Sequence, residues 1–454
     1  MARNARPGIE VLPPELWTKI FEDIPRSMDQ ESPRESWAQV SLTCHTFRSY
    51  MMPIMHLLFT FHPYAVDLTD PWGDFQTAIG SMPSTDTVER ELERLAFYSS
   101  DPIVNYVRGV VLRPWSFKVV ESSSGSHGLE YLSSKFFESL YRFRNLRSVI
   151  FVLANLNSLA LQNLVHLPKL EHLGVFNCSL QTPVDVSLSL RSFAFNHEAE
   201  YEDLEELGAG TWLDLLNPDR LGYLLIDVDH PPLAILERIR TSSPFNSLSK
   251  VTINVTSDLL PHLQSLLTNV PRIRSLEVSR PPDPPQDECV LLSEGLNTLA
   301  VGPLTLLEEF IGPRELLYVI LVRQSIEARP QRLQRLHITS IPGEGEHFDT
   351  IWTMLSSPTV SAQLHWLSHF HVEFRFMENE HFSKLLLLFP DLESLELEAA
   401  DAMSRPSLTN EVSQFIYTET NAADLLNCTG IFGCCMQAVL VSSTTLSLYR
   451  LVIQ

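Results

Sequence analysis

Apolar residues recur four apart at Leu16, Ile20 and Ile24, with Trp17 and Phe21 beside them, while Glu15, Lys19, Glu22 and Asp23 take the other side. That spacing predicts an amphipathic helix. Leu12-Pro13-Pro14-Glu15 supplies its start, because a first-turn proline loses no hydrogen bond and an early glutamate suits the helix dipole; Pro25 stops it. A polar stretch over 26–35 reads as a loop. Trp37, Val40, Cys44 and Phe47 then repeat at helical spacing, and Met51 extends the stripe as far as Pro53, predicting a second helix that ends there. Two helices this short, with apolar faces this wide, need a covering surface. The rest of the chain or a second protein would each provide one.

Further along, the period changes. Leu164-Val-His-Leu167-Pro168-Lys-Leu170-Glu-His-Leu173-Gly-Val175 lines up with Leu267-Thr-Asn-Val270-Pro271-Arg-Ile273-Arg-Ser-Leu276-Glu-Val278 and with Leu386-Leu-Leu-Phe389-Pro390-Asp-Leu392-Glu-Ser-Leu395-Glu-Leu397. In each, proline closes a helix or turn, and the last three apolar positions, spaced three and then two, enter a short strand with alternate side chains inward. Weaker copies of this L-x-x-L-x-L core begin at Val107, Leu146, Leu190, Leu221, Leu248, Leu296, Leu333 and Leu367. Successive starts lie on average about 28 residues apart, near the long end of a leucine-rich repeat, which these units resemble. Each would add one parallel strand and one helix or irregular return to a curved stack, burying its leucines only against neighbours. The predicted fold is therefore α/β: a small helical module over 9–58, an irregular leucine-rich-repeat solenoid over 59–400 with parallel strands on the concave face and helices or loops outside, and an atypical segment over 401–454. Breaker-rich stretches at 121–128, 281–285 and 342–346 read as loops. In the last segment poor order is expected over 406–421, and only Leu448-x-x-Leu451-x-Ile453 suggests another strand.

Composition narrows the class. The 454 residues are 44% hydrophobic and 19% charged, with 33 Lys and Arg against 55 Asp and Glu, a formal charge of −22. Disordered, collagen-like and disulfide-stapled classes do not fit, and the charge works against a nucleic-acid partner. Cys44, Cys178, Cys289, Cys428, Cys434 and Cys435 form no CxxC pair or spacing ladder, which suits a reducing compartment. The amino terminus lacks the apolar run of a secretory signal, so a cytoplasmic or nuclear location is expected, and the sequons at Asn254 and Asn427 then lose their meaning. Residues 425–449 carry no charge and are long enough to cross a bilayer, but Asn427, Thr429, Gln437 and the run from Ser442 to Thr445 dilute them, which argues against a membrane partner.

The run Leu12-Pro13-Pro14-Glu15-Leu16-Trp17-Thr18-Lys19-Ile20-Phe21-Glu22-Asp23-Ile24, followed by Val40-Ser41-Leu42-Thr43-Cys44-His45-Thr46-Phe47-Arg48, resembles the F-box, especially its fungal F-box-like form. The match extends through Pro53-Ile54-Met55 to Phe59, where such proteins commonly enter the first strand of the next domain. The resemblance implies docking on a Skp-type adaptor, and through it on a cullin–RING ubiquitin ligase, by Leu12, Pro13, Leu16, Ile20, Ile24, Val40, Leu42, Cys44 and Phe47. The insert over 25–36 is longer and more charged than usual, and Trp37-Ala38-Gln39 stands where small aliphatic residues are typical. An F-box followed by degenerate leucine-rich repeats is similar in layout to many basidiomycete-type F-box proteins.

Chemistry has few candidates. No G-x-S-x-G, no G-x-x-x-x-G-K-[ST], no glycine-rich dinucleotide loop and no H-E-x-x-H occurs, so no catalytic role and no cofactor is expected. His365, His369, His371, Glu373, Glu378, Glu380 and His381 cluster in sequence. With Leu367, Phe370 and Val372 inward, His369, His371 and Glu373 share the opposite face, where a solvated binding ridge is favoured over a zinc site. The acidic run over 198–206 reads as a solvated segment rather than a basic-partner site. The same strand template assigns Tyr223, Asp227, Glu277, Arg335, His337, His369, His371, Glu373, Glu396 and Glu398 to one ridge, increasingly acidic toward the carboxyl end. It would suit a protein target presenting Lys or Arg. The function this predicts is a non-catalytic substrate receptor of an SCF-type ligase. The alternative is a ligase-independent leucine-rich-repeat scaffold for protein binding.

Overall fold

A computed structural model describes residues 41–61, 85–112, 127–197, 209–228, 245–279, 286–300, 304–325, 333–339, 348–374, 385–399, 436–442 and 447–453, apart from 44, 153, 177, 181–185, 271, 386 and 390 within them. The chain is α/β and divides into two compact units, one formed by 1–193 with 205–217 and the other by 194–204 with 218–454. The predicted loops at 281–285 and 342–346, the acidic run, the helix beginning at Leu12 and the expected poor order over 406–421 lie outside the described residues, as does the loop at 121–128 except for its last two positions. Those two open a helix.

In the first unit, α1 (His45–Met55) leads into β1 (Leu58–Phe61). The helix runs past Pro53 rather than ending there. A proline forfeits only one N–H bond, and here the residues after it close the last turn with Leu57 N–H donating to the Ile54 carbonyl at 3.3 Å. Next come α2 (Thr85–Tyr98), β2 (Gly109–Leu112), α3 (His127–Leu140), β3 (Ser148–Val152), β4 (Asn155–Leu156), α4 (Ser158–Val165), β5 (His172–Phe176) and β6 (Ser179–Leu180). Strands β1, β2, β3 and β5 pair in that order, all parallel, and β4 pairs with β6. Aromatic side chains fill this core. Phe59 stacks on Tyr98 at 4.3 Å between centroids, Phe61 on Phe136 at 5.5 Å, and Phe137 meets Phe151 edge-on at 6.0 Å. Arg94 grips Glu91 through two bonds of 2.8 and 2.7 Å and donates to the Thr60 carbonyl at 3.2 Å, tying α2 to β1. Strand β7 (Ser192–His197) follows, with Arg191 and Ser192 N–H both bonded to the Glu171 carbonyl.

The second unit strings β8 (Tyr223–Val228), β9 (Lys250–Asn254), β10 (Ser275–Ser279), β11 (Glu309–Pro313), β12 (Arg335–Thr339), β13 (His369–Phe374) and β14 (Ser394–Ala399) side by side in chain order, every pair parallel. Connections include α5 (Leu260–Asn269), α6 (Gln286–Thr298), α7 (Arg314–Ser325), α8 (Phe348–Leu355) and α9 (Pro358–Ser361). Their periodicity explains their seating: Leu260, Leu263, Leu266 and Leu267 of α5 are buried, as are Phe348, Ile351, Met354 and Leu355 of α8. Strands β15 (Met436–Ser442) and β16 (Ser447–Ile453) form a hairpin, and β16 pairs antiparallel with β14. The last strand thus departs from the parallel pattern, and the four-residue connection between β15 and β16 accounts for their own antiparallel pairing. Among the described residues no helix is long and apolar enough to cross a membrane. Both described cysteines, Cys178 and Cys289, are buried and unbridged.

Nearly every predicted repeat start stands two residues before a strand, and its three apolar positions are buried: Leu248, Val251 and Ile253 at β9, Leu333, Leu336 and Ile338 at β12. Leu296 is the exception. It lies inside α6, buried with Cys289 and Leu292 at helical spacing, and the real start is Leu307, with Phe310 as its second position and Gly312 as its third. A Cβ at Gly312 would come to 3.0 Å from the Val278 carbonyl oxygen and 3.2 Å from the Phe310 ring, so a side chain would be crowded where the template asks for an apolar one. Replacing Gly312 with valine is expected to lower stability by about 1–3 kcal/mol through overpacking. It would be read as a lower urea midpoint at unchanged slope, with Ser279→Ala near wild type.

Candidate protein-binding face

Because strand side chains alternate, burial of Leu224, Ile226, Val251, Ile253, Leu276, Val278, Phe310, Leu336, Ile338, Phe370, Val372 and Leu395 sends the residues between them to the opposite face of the second unit's sheet. Register then aligns those residues in rows across the strands. One row reads Tyr223, Lys250, Ser275, Glu309, Arg335, His369 and Ser394; the next reads Leu225, Thr252, Glu277, Ile311, His337, His371 and Glu396. Beyond them, Glu373 stands opposite Glu398. Of the ten ridge residues read from the sequence, Tyr223, Asp227, Glu277, Arg335, His337, His369, His371, Glu373 and Glu396 take positions on this face, and Glu398 is known by its register opposite Glu373.

Contacts along the rows hold the side chains in place. Asn196 and Asn254 each donate to Asp227, at 2.8 and 2.6 Å. Thr252, only 8% exposed, donates to Glu277 at 3.0 Å and lies 3.5 Å from the Tyr223 hydroxyl, while the Lys250 ammonium sits 5.2 Å from the centre of the Tyr223 ring. Ser275 donates to Glu309 at 2.6 Å, and Arg335 pairs with the other Glu309 oxygen at 3.4 Å. His369 Nδ1 lies 2.8 Å from the Ser368 hydroxyl.

At the acidic end two imidazoles stack. The His337 and His371 centroids are 3.8 Å apart with planes 9° from parallel; His337 Nε2 lies 3.0 Å from Glu373 Oε1, and His371 Nδ1 lies 3.9 Å from Glu396 Oε2. Burial, and then the neighbouring His337, push His371 down to about 4, against the opposing pull of Glu396 and Glu373. Stacked rings aim their nitrogens within parallel planes rather than at one point. Among the described residues no group of three or more His, Cys, Asp or Glu is placed to hold a metal ion.

Lys250, Thr252, Ser275 and Glu309 also belong to the face but were not among the sequence candidates. The alternation that selected Arg335 and His337 also selects Lys250 and Thr252, two and four residues after Leu248. Glu309 was hidden by the displaced start at Leu296. Of the residues that the F-box resemblance assigns to adaptor docking, Leu42 is 81% exposed and Phe47 is half-buried in α1. Leu12, Pro13, Leu16, Ile20, Ile24, Val40 and Cys44 lie outside the described residues. No family model matches the chain, and no curated protein matches it significantly.

His371 gives the face a pH dependence. The unfolded imidazole takes a proton near 6.5 and the folded one only near 4, so its contribution to stability is complete above about pH 6.5 and is lost as pH falls toward 4. The loss is on the order of 2 kcal/mol. Comparing urea midpoints at pH 7.5 and 5.0, wild type should fall further than His371→Gln.

Proposed function

We propose that this protein is a substrate receptor of an SCF-type ubiquitin ligase, docking a Skp-type adaptor with its F-box-like segment and holding a protein target on the ridge of its repeats. The observation that carries the receptor half is the ridge itself: consecutive parallel strands present polar and charged side chains in register, opposite a sealed apolar core. Asp227, Glu277, Glu309, Glu373 and Glu396 outnumber Lys250 and Arg335 there, which favours a target presenting Lys or Arg. The adaptor half is supported by the F-box-like sequence and by Leu42, a large apolar side chain in that segment that stands 81% exposed. Catalysis, on this reading, belongs to the ligase's other subunits, and the receptor contributes proximity.

The ligase-independent scaffold has one observation in its favour. Met51 of α1 is fully buried, and His56 packs edge-on against Phe97 and Tyr98 at 5.6 and 5.4 Å, so the end of the F-box-like segment also caps its own sheet. Co-expression with a Skp-type adaptor separates the two. Wild type should retain adaptor through affinity and size-exclusion steps, and Leu12→Asp/Pro13→Ala should retain at least tenfold less. Equal recovery by both, or none by either, overturns the receptor reading and leaves the scaffold.

A further inference from the structure

In a chain where carboxylates outnumber cations 55 to 33, the first unit gathers cations at the edge where its strands begin. The backbone places them there. Arg147 N–H bonds to the Arg108 carbonyl at 2.8 Å, Glu171 N–H to the Arg147 carbonyl at 2.9 Å, and Arg191 N–H to the Glu171 carbonyl at 2.8 Å, so these four residues stand in one row, one per strand. The turn before β3 adds Arg142 and Arg144, and Lys169 joins it by donating to Asn145 Oδ1 at 2.7 Å. Few of these charges are neutralised. Arg142, Arg144 and Arg147 are exposed and have no ion-pair partner among the described residues. Arg191, 66% exposed, meets Glu171 only at 3.8 Å, and Arg142 lies 5.9 Å from the centre of the exposed Tyr141 ring.

We propose that this edge is a second interaction surface, which binds an extended acidic segment, rich in Asp and Glu, of a partner protein. Charge complementarity and spacing select that occupant. Arg147 and Arg191 are two ladder steps apart, about 10 Å, which is the reach of three residues of extended chain. A line of single positive charges fits single negative charges at that interval. Glu171 interrupts the row and so opposes a continuous phosphate backbone. The partner's carboxylates would sit between Arg144, Arg147 and Arg191, with Tyr141 offering an aromatic platform beside them.

The test uses the full chain and a fluorescein-labelled twelve-residue peptide with Glu or Asp at every third position and Ser or Gly between, followed by anisotropy in 0.15 M salt. There the screening length is about 8 Å, so the distant net charge of the chain is damped and the local patch decides. Wild type should bind, more weakly as salt rises. Arg144→Glu/Arg147→Glu should weaken binding at least fivefold, while Arg274→Glu, in the second unit, should leave it near wild type. Arg144→Gln/Arg147→Gln, which removes charge without reversing it, should show a smaller loss in the same direction and covers any misfolding of the reversal variant. Absence of wild-type binding, or equal binding by all variants, overturns the proposal. Tighter binding of a phosphoserine peptide, an RNA oligonucleotide or phosphatidylserine vesicles overturns the assigned occupant. Adaptor recovery plays no part in this readout, so its outcome is independent of the ligase reading.

Discussion

The architecture depends on one repeated hydrogen-bonding arrangement. At most of the parallel strand junctions described, two successive backbone N–H groups at the start of one strand converge on a single carbonyl at the start of the previous one: Arg274 and Ser275 on Ser249, Glu308 and Glu309 on Arg274, Gln334 and Arg335 on Glu308, Ser368 and His369 on Gln334. The first unit does the same, from Leu57 through Arg108 and Arg147 to Glu171. Each bond contributes only about 1 kcal/mol net. Their value lies in register, because a slip by one residue would exchange every inward leucine for an outward polar residue.

That pinning lets the two faces carry different chemistry. The apolar positions are sealed, so the outward residues are free to vary, and in the second unit they build networks such as Tyr223, Thr252 and Glu277, or Glu309 with Ser275 and Arg335. The histidine pair shows how the environment decides charge. Side by side at 3.8 Å and partly buried, His337 and His371 cannot both hold a proton cheaply, and His371 stays neutral at physiological pH. In the first unit, Arg144 and Arg147 stand in solvent at the edge where the strands begin.

Legibility followed physical strength of signal. Leu248, Leu333 and Leu367 announced β9, β12 and β13 because burial on one strand face permits few substitutions, and the ridge residues between them followed by alternation. Leu296 misled because α6 also needs an apolar residue there, and β11 was missed because close backbone packing replaced its third apolar position with Gly312. Strand β1 begins two residues after His56, which breaks the same template at its first position, although the F-box resemblance pointed to a strand near Phe59. The basic edge was invisible in a net charge of −22, since its members precede separate strands and meet only through the ladder.

Spacing along the chain sufficed to establish a succession of short strands, the residues each would bury and the ridge each would expose, because those follow from the two-residue period and from water's exclusion of apolar groups. Three-dimensional packing alone decided the rest. It set which carbonyl each strand start would find, the antiparallel return of β16, the division into two units, the stacking of His337 on His371 and the assembly of Arg142, Arg144, Arg147, Lys169 and Arg191 into one patch. Such long-range pairings bring together residues tens of positions apart, and no local pattern records them.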